Sequence, residues 1–321
     1  MGHYLLTGCA GFIASNVAKV LLDQGHLVTG IDDMSDGYDP VLKHWRLRQL
    51  EGIEAFRFER ADIRDIAALG PLFDTDFDGV ISLAARAGVR QSVDNPWIYV
   101  ETNYGGTLNL LELCKERGVG KFVLASTSSV YGNDTIPPFK EDAATSMPLS
   151  PYASTKKAAE TLAHTYHHLF GIDVTVLRFF TVYGPAGRPD MSVYRFTRAI
   201  AEDMPIHLYG DGGERDYTHV DDIALGVAAS IEPVGYEIIN LGSDNPARIT
   251  RVISIIENTL GKKAAVEHQS RHSADVQSTW ADITKAARLL DWRPQTGLET
   301  GVEGAVKWYM DQRDWAKDIV A

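Results

Sequence analysis

Cysteine is nearly absent. Cys9 and Cys114 are the only two in 321 residues, so the chain has no disulfide framework and no cysteine spacing that would bind a metal. No apolar run approaches the ~20 residues needed to cross a bilayer. The N-terminus lacks the basic flank and apolar core of a signal peptide, and Met1-Gly2 lacks the downstream Ser or Thr of a myristoylation site. Basic residues are outnumbered, 31 Lys and Arg against 43 Asp and Glu. The resulting net charge of −12 argues against nucleic acid or an anionic membrane as the main partner. It leaves room for a small anionic ligand held by a few local arginines. There is no basic block, low-complexity tract or internal repeat. These absences lead to the expectation of a reduced, cytoplasmic protein with one large core or two smaller ones.

The informative part begins at once. His3 to Thr7 reads as a short apolar strand, followed by Gly8-Cys9-Ala10-Gly11-Phe12-Ile13-Ala14 and an amphipathic stretch through Leu22. Strand, glycine turn and helix start, in that order, make a dinucleotide fingerprint. Gly8 permits the tight turn, and Gly11 lets the backbone approach a pyrophosphate at the helix N-terminus, where unpaired N–H groups favour anions. Ala14 takes the third position, which the pattern tolerates. A second strand, His26 to Ile31, ends in Asp32, where a carboxylate meets adenosine ribose hydroxyls and repels a 2′-phosphate. No Arg or Lys follows before Lys43, so the expected cofactor is NAD, not NADP.

Further strands are expected at Gly79–Ala85, Lys121–Ser126 and Val174–Arg178, with Asn95-Pro96 opening a helix that ends near Gly118. Repeated βα alternation implies an α/β fold with a parallel, doubly wound sheet and ligands beyond the carboxyl ends of its strands. Beyond Arg178 the rhythm loosens into loops rich in Gly, Pro and Arg. A last strand at Tyr236–Leu241 is expected to rejoin the sheet, and Gly261 to Ala321 to form part of a smaller, lid-like unit.

Tyr152 and Lys156 stand four apart, on one face of a helix. A phenol titrates near ~10, too high for a base at neutral pH. A neighbouring ammonium, with the positive charge of a nicotinamide, stabilises the phenolate. Tyr152 can then act as a base that removes a hydroxyl proton while hydride leaves the carbon for NAD.

With YASTK at Tyr152 to Lys156, the chain carries STSSVYG (Ser126 to Gly132), RFFTVYGP (Arg178 to Pro185) and RDYTHVDD (Arg215 to Asp222). It thus resembles the extended short-chain dehydrogenases from end to end. Within them it is most similar to the UDP-glucuronate 4-epimerases, through AARAGVRQS (Ala84 to Ser92), RFFTVYGPAGRPDM (Arg178 to Met191) and TWADITKA (Thr279 to Ala286). The resemblance implies a Rossmann-type sheet, with residues 1–178 as the NAD-binding domain and 216–245 returning to it. Residues 179–321 would mainly form a smaller α/β domain for the nucleotide sugar. It implies catalysis by Thr127, Tyr152 and Lys156. Cofactor contacts would come from Gly8, Gly11, Phe12, Ile13, Asp32, Asp62, Ile63, Ala84, Ala85, Asn103, Tyr152 and Lys156. Substrate contacts would come from Arg86, Arg90, Thr127, Ser128, Ser129, Thr181, Arg188, Arg215 and Arg271, with Ile206 to Leu208 framing the uracil.

Arginine suits such anions because its guanidinium gives bidentate donors to phosphate or carboxylate. The related sugar-nucleotide dehydratases place an Asp-Glu pair after the threonine; here Ser128 and Ser129 stand there, so water elimination is not expected. Two enzymatic readings remain, a UDP-sugar 4-epimerase and a UDP-glucuronate decarboxylase, beside a catalytically silent NAD sensor of the same fold. His164, His167 and His168 have no companions for a metal set. The implied assembly is a homodimer built on the Asn95–Arg117 and Tyr152 helices.

Overall fold

The computed structural model describes residues 1–133, 135–270, 276 and 278–320. Six strands alternate with helices through the first 179 residues: β1 (His3–Thr7), β2 (Leu27–Asp32), β3 (Phe56–Arg60), β4 (Gly79–Ser82), β5 (Lys121–Thr127) and β6 (Asp173–Phe179). They lie in the order β6-β5-β4-β1-β2-β3, all parallel. The expected seventh strand, Tyr236–Leu241, pairs in parallel with β6 and closes that edge. The order reverses beside β1, which creates the crevice where ligands of doubly wound sheets bind.

The central strands are apolar because both faces are covered. Every residue of β5 is buried, its end Lys121 included. The helix Phe12–Asp23 turns Ala14, Val17, Ala18 and Leu21 to the sheet and packs against a later helix, Val220–Ala229. Ala14 itself is buried in the core there. β3 was not anticipated, because three of the five residues of FRFER are charged and it forms the other edge of the sheet.

Two readings of local structure need correction. Asn95 does not cap the expected helix: it ends the short helix Gln91–Asp94, and Pro96 occupies the cap position of the next one. That next helix runs from Trp97 through a π-helical stretch, Val100–Gly105, into Gly106–Arg117, and stops at left-handed Gly118 as expected. Beyond Arg178 the chain is more helical than its loops suggested. Helices Ser192–Ala201, Ile249–Leu260 and Leu298–Asp311 pack around Val193, Phe196, Ile200, Val252, Ile256, Val302 and Val306, a core separate from that of the sheet. No helix among the described residues is long and apolar enough to cross a membrane.

Candidate active site

The glycine turn after β1 is as tight as its sequence demands. Gly8 has φ of 74°, and a Cβ on it would stand 2.9 Å from the Ala84 backbone, an approach no other residue permits. Gly11 has ordinary φ, and its missing Cβ makes room for the Gly8 carbonyl, which accepts from the Gly11 N–H at 2.7 Å. No side chain caps the helix that starts at Phe12 and Ile13. Its first N–H groups are therefore donors awaiting an anion, which fits a dinucleotide diphosphate.

Asp32, at the end of β2, is buried. Its Oδ2 accepts from Ala10 N at 3.2 Å and its Oδ1 from Met34 N at 2.8 Å. Lys43 folds back onto Oδ1 at 3.1 Å and is itself buried. Lys43 thus contacts Asp32 directly, although sequence spacing seemed to place it beyond reach. Asp62 faces the neighbouring Arg64, which forks onto its carboxylate, while Ile63 is buried against Gly106. Ala84 donates its N–H to Thr7 Oγ1 at 3.0 Å; Ala85 follows it on the same loop.

Asn103 was expected to touch the cofactor. Its side chain is committed elsewhere: Oδ1 accepts from Arg86 N at 2.8 Å, and Nδ2 donates to Arg86 O and Thr155 Oγ1 at 3.0 and 3.1 Å. Buried in the π-helical stretch, it ties the Ala84–Arg90 loop to the Tyr152 helix. Single π turns of this kind occur often at functional sites, because the extra residue re-aims a side chain.

The helix Pro151–Phe170 begins with Ser150 accepting from Ala153 N at 3.2 Å, with proline in the first turn. Tyr152 therefore sits in the first turn, facing the end of β5, where it shares a hydrogen bond with Thr127. Burial pushes its phenol above the ordinary value, and Thr127 and the Arg188 charge pull it back. One turn on, Lys156 is buried and donates to Ala125 O at 2.9 Å. Burial lowers its ammonium to about 8, with Glu160 opposing the fall. Thr127 accepts from Ser129 N at 3.1 Å, which turns Ser128 and Ser129 into a short helix under the strand end.

Thr181 opens a short strand, Thr181–Tyr183, that pairs with Tyr217–His219. Arg188 binds Asp190 with two bonds, at 3.0 and 2.6 Å, so only part of its fork faces the site. The Arg90 guanidinium lies 3.9 Å over the Tyr209 ring. Arg215 donates to Glu214 O and Val276 O, each at 2.8 Å. Arg271 lies outside the described residues. Of the three histidines, His164 and His167 pack on Tyr236, and no metal-binding cluster is found among the described residues.

Fold and site together define a dinucleotide-dependent enzyme of the doubly wound α/β class. The chain belongs to the NAD dependent epimerase/dehydratase family, whose model matches residues 4–242. It is 53% identical over 322 residues to the UDP-glucuronate 4-epimerase of Thermodesulfobacterium geofontis, covering 99% of each chain. It is 40% identical to UDP-glucuronate 4-epimerase 4 of Arabidopsis thaliana, over 99% of this chain and 77% of that one. Among solved structures it matches the UDP-glucuronic acid 4-epimerase of Bacillus cereus, in complex with UDP-glucuronic acid and NAD. That match has a TM-score of 0.92 and 38% identity, over 97% of this chain and 99% of that one.

Proposed function

We propose that this protein interconverts UDP-glucuronate and UDP-galacturonate by epimerising C4 with bound NAD. The observation that carries the reading is the end of β5. The Tyr152 phenol shares a hydrogen bond with Thr127, the Lys156 ammonium one turn on donates to Ala125 O, and Ser128 and Ser129, not acids, follow Thr127. The likeness to full-length relatives bearing that name supports it. Bound NAD supplies the reversible hydride acceptor. The chain's own residues supply the rest. Thr127 orients the C4 oxygen, Tyr152 takes its proton and later returns one, and Lys156 keeps the phenolate charge tolerable. Gly8, Gly11, Phe12, Ile13 and Asp32 hold the dinucleotide, with Asp62, Ile63, Ala84 and Ala85 around it and Asn103 bracing the loop. Arg86, Arg90, Arg215 and Arg271 address the nucleotide diphosphate. Residues 1–178 with 216–245 form the cofactor domain, and 179–321 mainly the sugar-nucleotide domain.

The intermediate is a β-keto acid, which loses CO₂ once its C5–carboxylate bond aligns with the carbonyl. Thr127, Ser128, Thr181 and the free part of Arg188 hold that carboxylate out of alignment, each hydrogen bond to it contributing about 1.5–3 kcal/mol. The test is incubation with UDP-glucuronate, then separation of products by mass and stereochemistry. UDP-galacturonate of unchanged mass is expected; a pentose product as the main species would overturn the reading.

The working unit is a homodimer. Tyr99 meets Tyr152 at one end, and Lys115 lies over Phe170 at the other, so the Trp97–Arg117 and Pro151–Phe170 helices run side by side. Val93, Trp97, Val100, Leu169 and Phe170 are exposed on or beside them. Two copies of such a pair make a four-helix bundle that covers those side chains.

A further inference from the structure

Arg46, on the helix Pro40–Arg48, is 2% exposed, yet no carboxylate among the described residues pairs with it. Its donors go to neutral oxygens from three parts of the chain. Nε and Nη2 donate to Ala186 O at 3.1 and 2.7 Å, and Nη2 reaches Gly187 O at 3.3 Å. Nη1 donates to Ala10 O at 3.3 Å and to the Tyr38 hydroxyl, and the guanidinium stacks on the Phe12 and Tyr38 rings. Carbonyls satisfy the N–H groups but not the charge, and a buried cation without a counter-charge is unfavourable.

Both ends of this bridge matter. Ala10 precedes Gly11 and the uncapped amides at Phe12 and Ile13, where the diphosphate of the cofactor binds on the reading above. An anion there brings the missing negative charge to the turn that Arg46 holds. Ala186 and Gly187 lead directly into Arg188. Ala186 is held at φ of 53°, a left-handed conformation that alanine adopts only when its surroundings impose it. The two bonds that Arg46 makes to the Ala186 carbonyl are such an imposition.

We propose that Arg46 is a positioning residue that couples the cofactor diphosphate to the loop carrying Arg188, so that occupancy of one site orders the other. The proposal rests on the functional reading above. Arg46 touches neither the sugar nor the reacting atoms; it acts through the carbonyls of Ala10, Ala186 and Gly187.

The test is a linkage measurement on the full chain in a Tyr152→Phe background, where UDP-glucuronate binds without turnover. The NAD dissociation constant is measured with and without saturating UDP-glucuronate. In the parent, UDP-glucuronate should tighten NAD about fivefold or more, within the usual range of site-to-site coupling. In Arg46→Met the two constants should become equal, and NAD should bind more weakly in both conditions. Arg46→Lys keeps the charge and loses the fork, so it should retain most of the NAD affinity while losing the coupling. It also serves if Arg46→Met does not fold. A merely structural role would weaken binding and leave the coupling factor unchanged. An unchanged factor in either variant, or no coupling in the parent, overturns the proposal. Failure of UDP-glucuronate to bind the parent at all would remove the functional reading, and this proposal with it.

Discussion

At Tyr152 burial works against ionisation, while Thr127 and the Arg188 charge favour it. On the proposed mechanism Lys156 supports the phenolate only while it is charged, and burial lowers its ammonium to about 8. The charge of a lysine is lost as pH rises through that value, and that support is lost with it. Activity, read as kcat/KM against pH, should therefore fall on the alkaline side of that point. Tyr152→Phe should lower turnover by about 10²–10⁴-fold, the usual worth of a positioned base, with NAD still bound. Asp32 carries a second prediction. Among the described residues Lys43 is neutralised by Asp32 and the adjacent Asp33. Asp32→Asn should therefore expose its charge to a 2′-phosphate and move the ratio of NAD to NADP affinity toward NADP. A titration showing the ratio unmoved would assign discrimination to shape instead of charge. Arg188, already half engaged by Asp190, has little grip to spare. Arg188→His should raise the ratio of CO₂-lost to epimerised product, about tenfold for each ~1.4 kcal/mol between the two barriers.

The Tyr152 helix is fixed to the sheet by one buried ion pair. Arg178 on β6 binds Glu160 through Nε and Nη2, each at 2.9 Å, and Ser126, just before Thr127, donates to Glu160 at 2.6 Å. Burial alone would raise the Glu160 carboxyl; the Arg178 bonds and charge, with Ser126 and Lys157, outweigh it and hold it below the ordinary range. A depressed carboxylate stabilises the fold above its unfolded value, and that contribution is lost as pH falls through the folded value. Glu160→Gln should thus be less stable near neutrality by ~3 kcal/mol, because it strands Arg178. Thermal melts in progressively more acidic buffer should show the deficit shrinking. This pair explains what sequence could and could not reveal. Strands such as Lys121–Thr127 were legible because both faces are covered and every residue after Lys121 is apolar or small. β3 was not, because an edge strand tolerates Arg57, Glu59 and Arg60. The glycine turn and the Tyr152–Lys156 pair were legible because their spacing is local. Arg46 with Ala186, and Asn103 with Thr155, meet across long stretches of chain, and no periodicity marks such partners.

For the whole molecule, the proposed homodimer rests on the exposed apolar side chains of the paired helices. Trp97 is 74% exposed and Leu169 61%, and contact with a second copy would cover such side chains. Trp97→Glu should shift sedimentation from dimer toward monomer while the melting temperature of the isolated chain changes little. A monomeric parent at micromolar concentration would end this view of the assembly.

The return of Tyr236–Leu241 to β6 also bears on how the chain is made. During synthesis β6 leaves the ribosome with Val174 and Val176 ready for the core but with its edge unpaired, and its partner strand follows more than fifty residues later. Until that strand arrives, the nascent sheet ends in an unpaired, largely apolar edge of the kind that recruits other chains. Vectorial synthesis therefore carries this protein through an aggregation-prone interval that ends only with the emergence of Leu241. Conditions that slow elongation between Phe179 and Leu241 lengthen that interval, whereas holdase chaperones that cover β6 shield it.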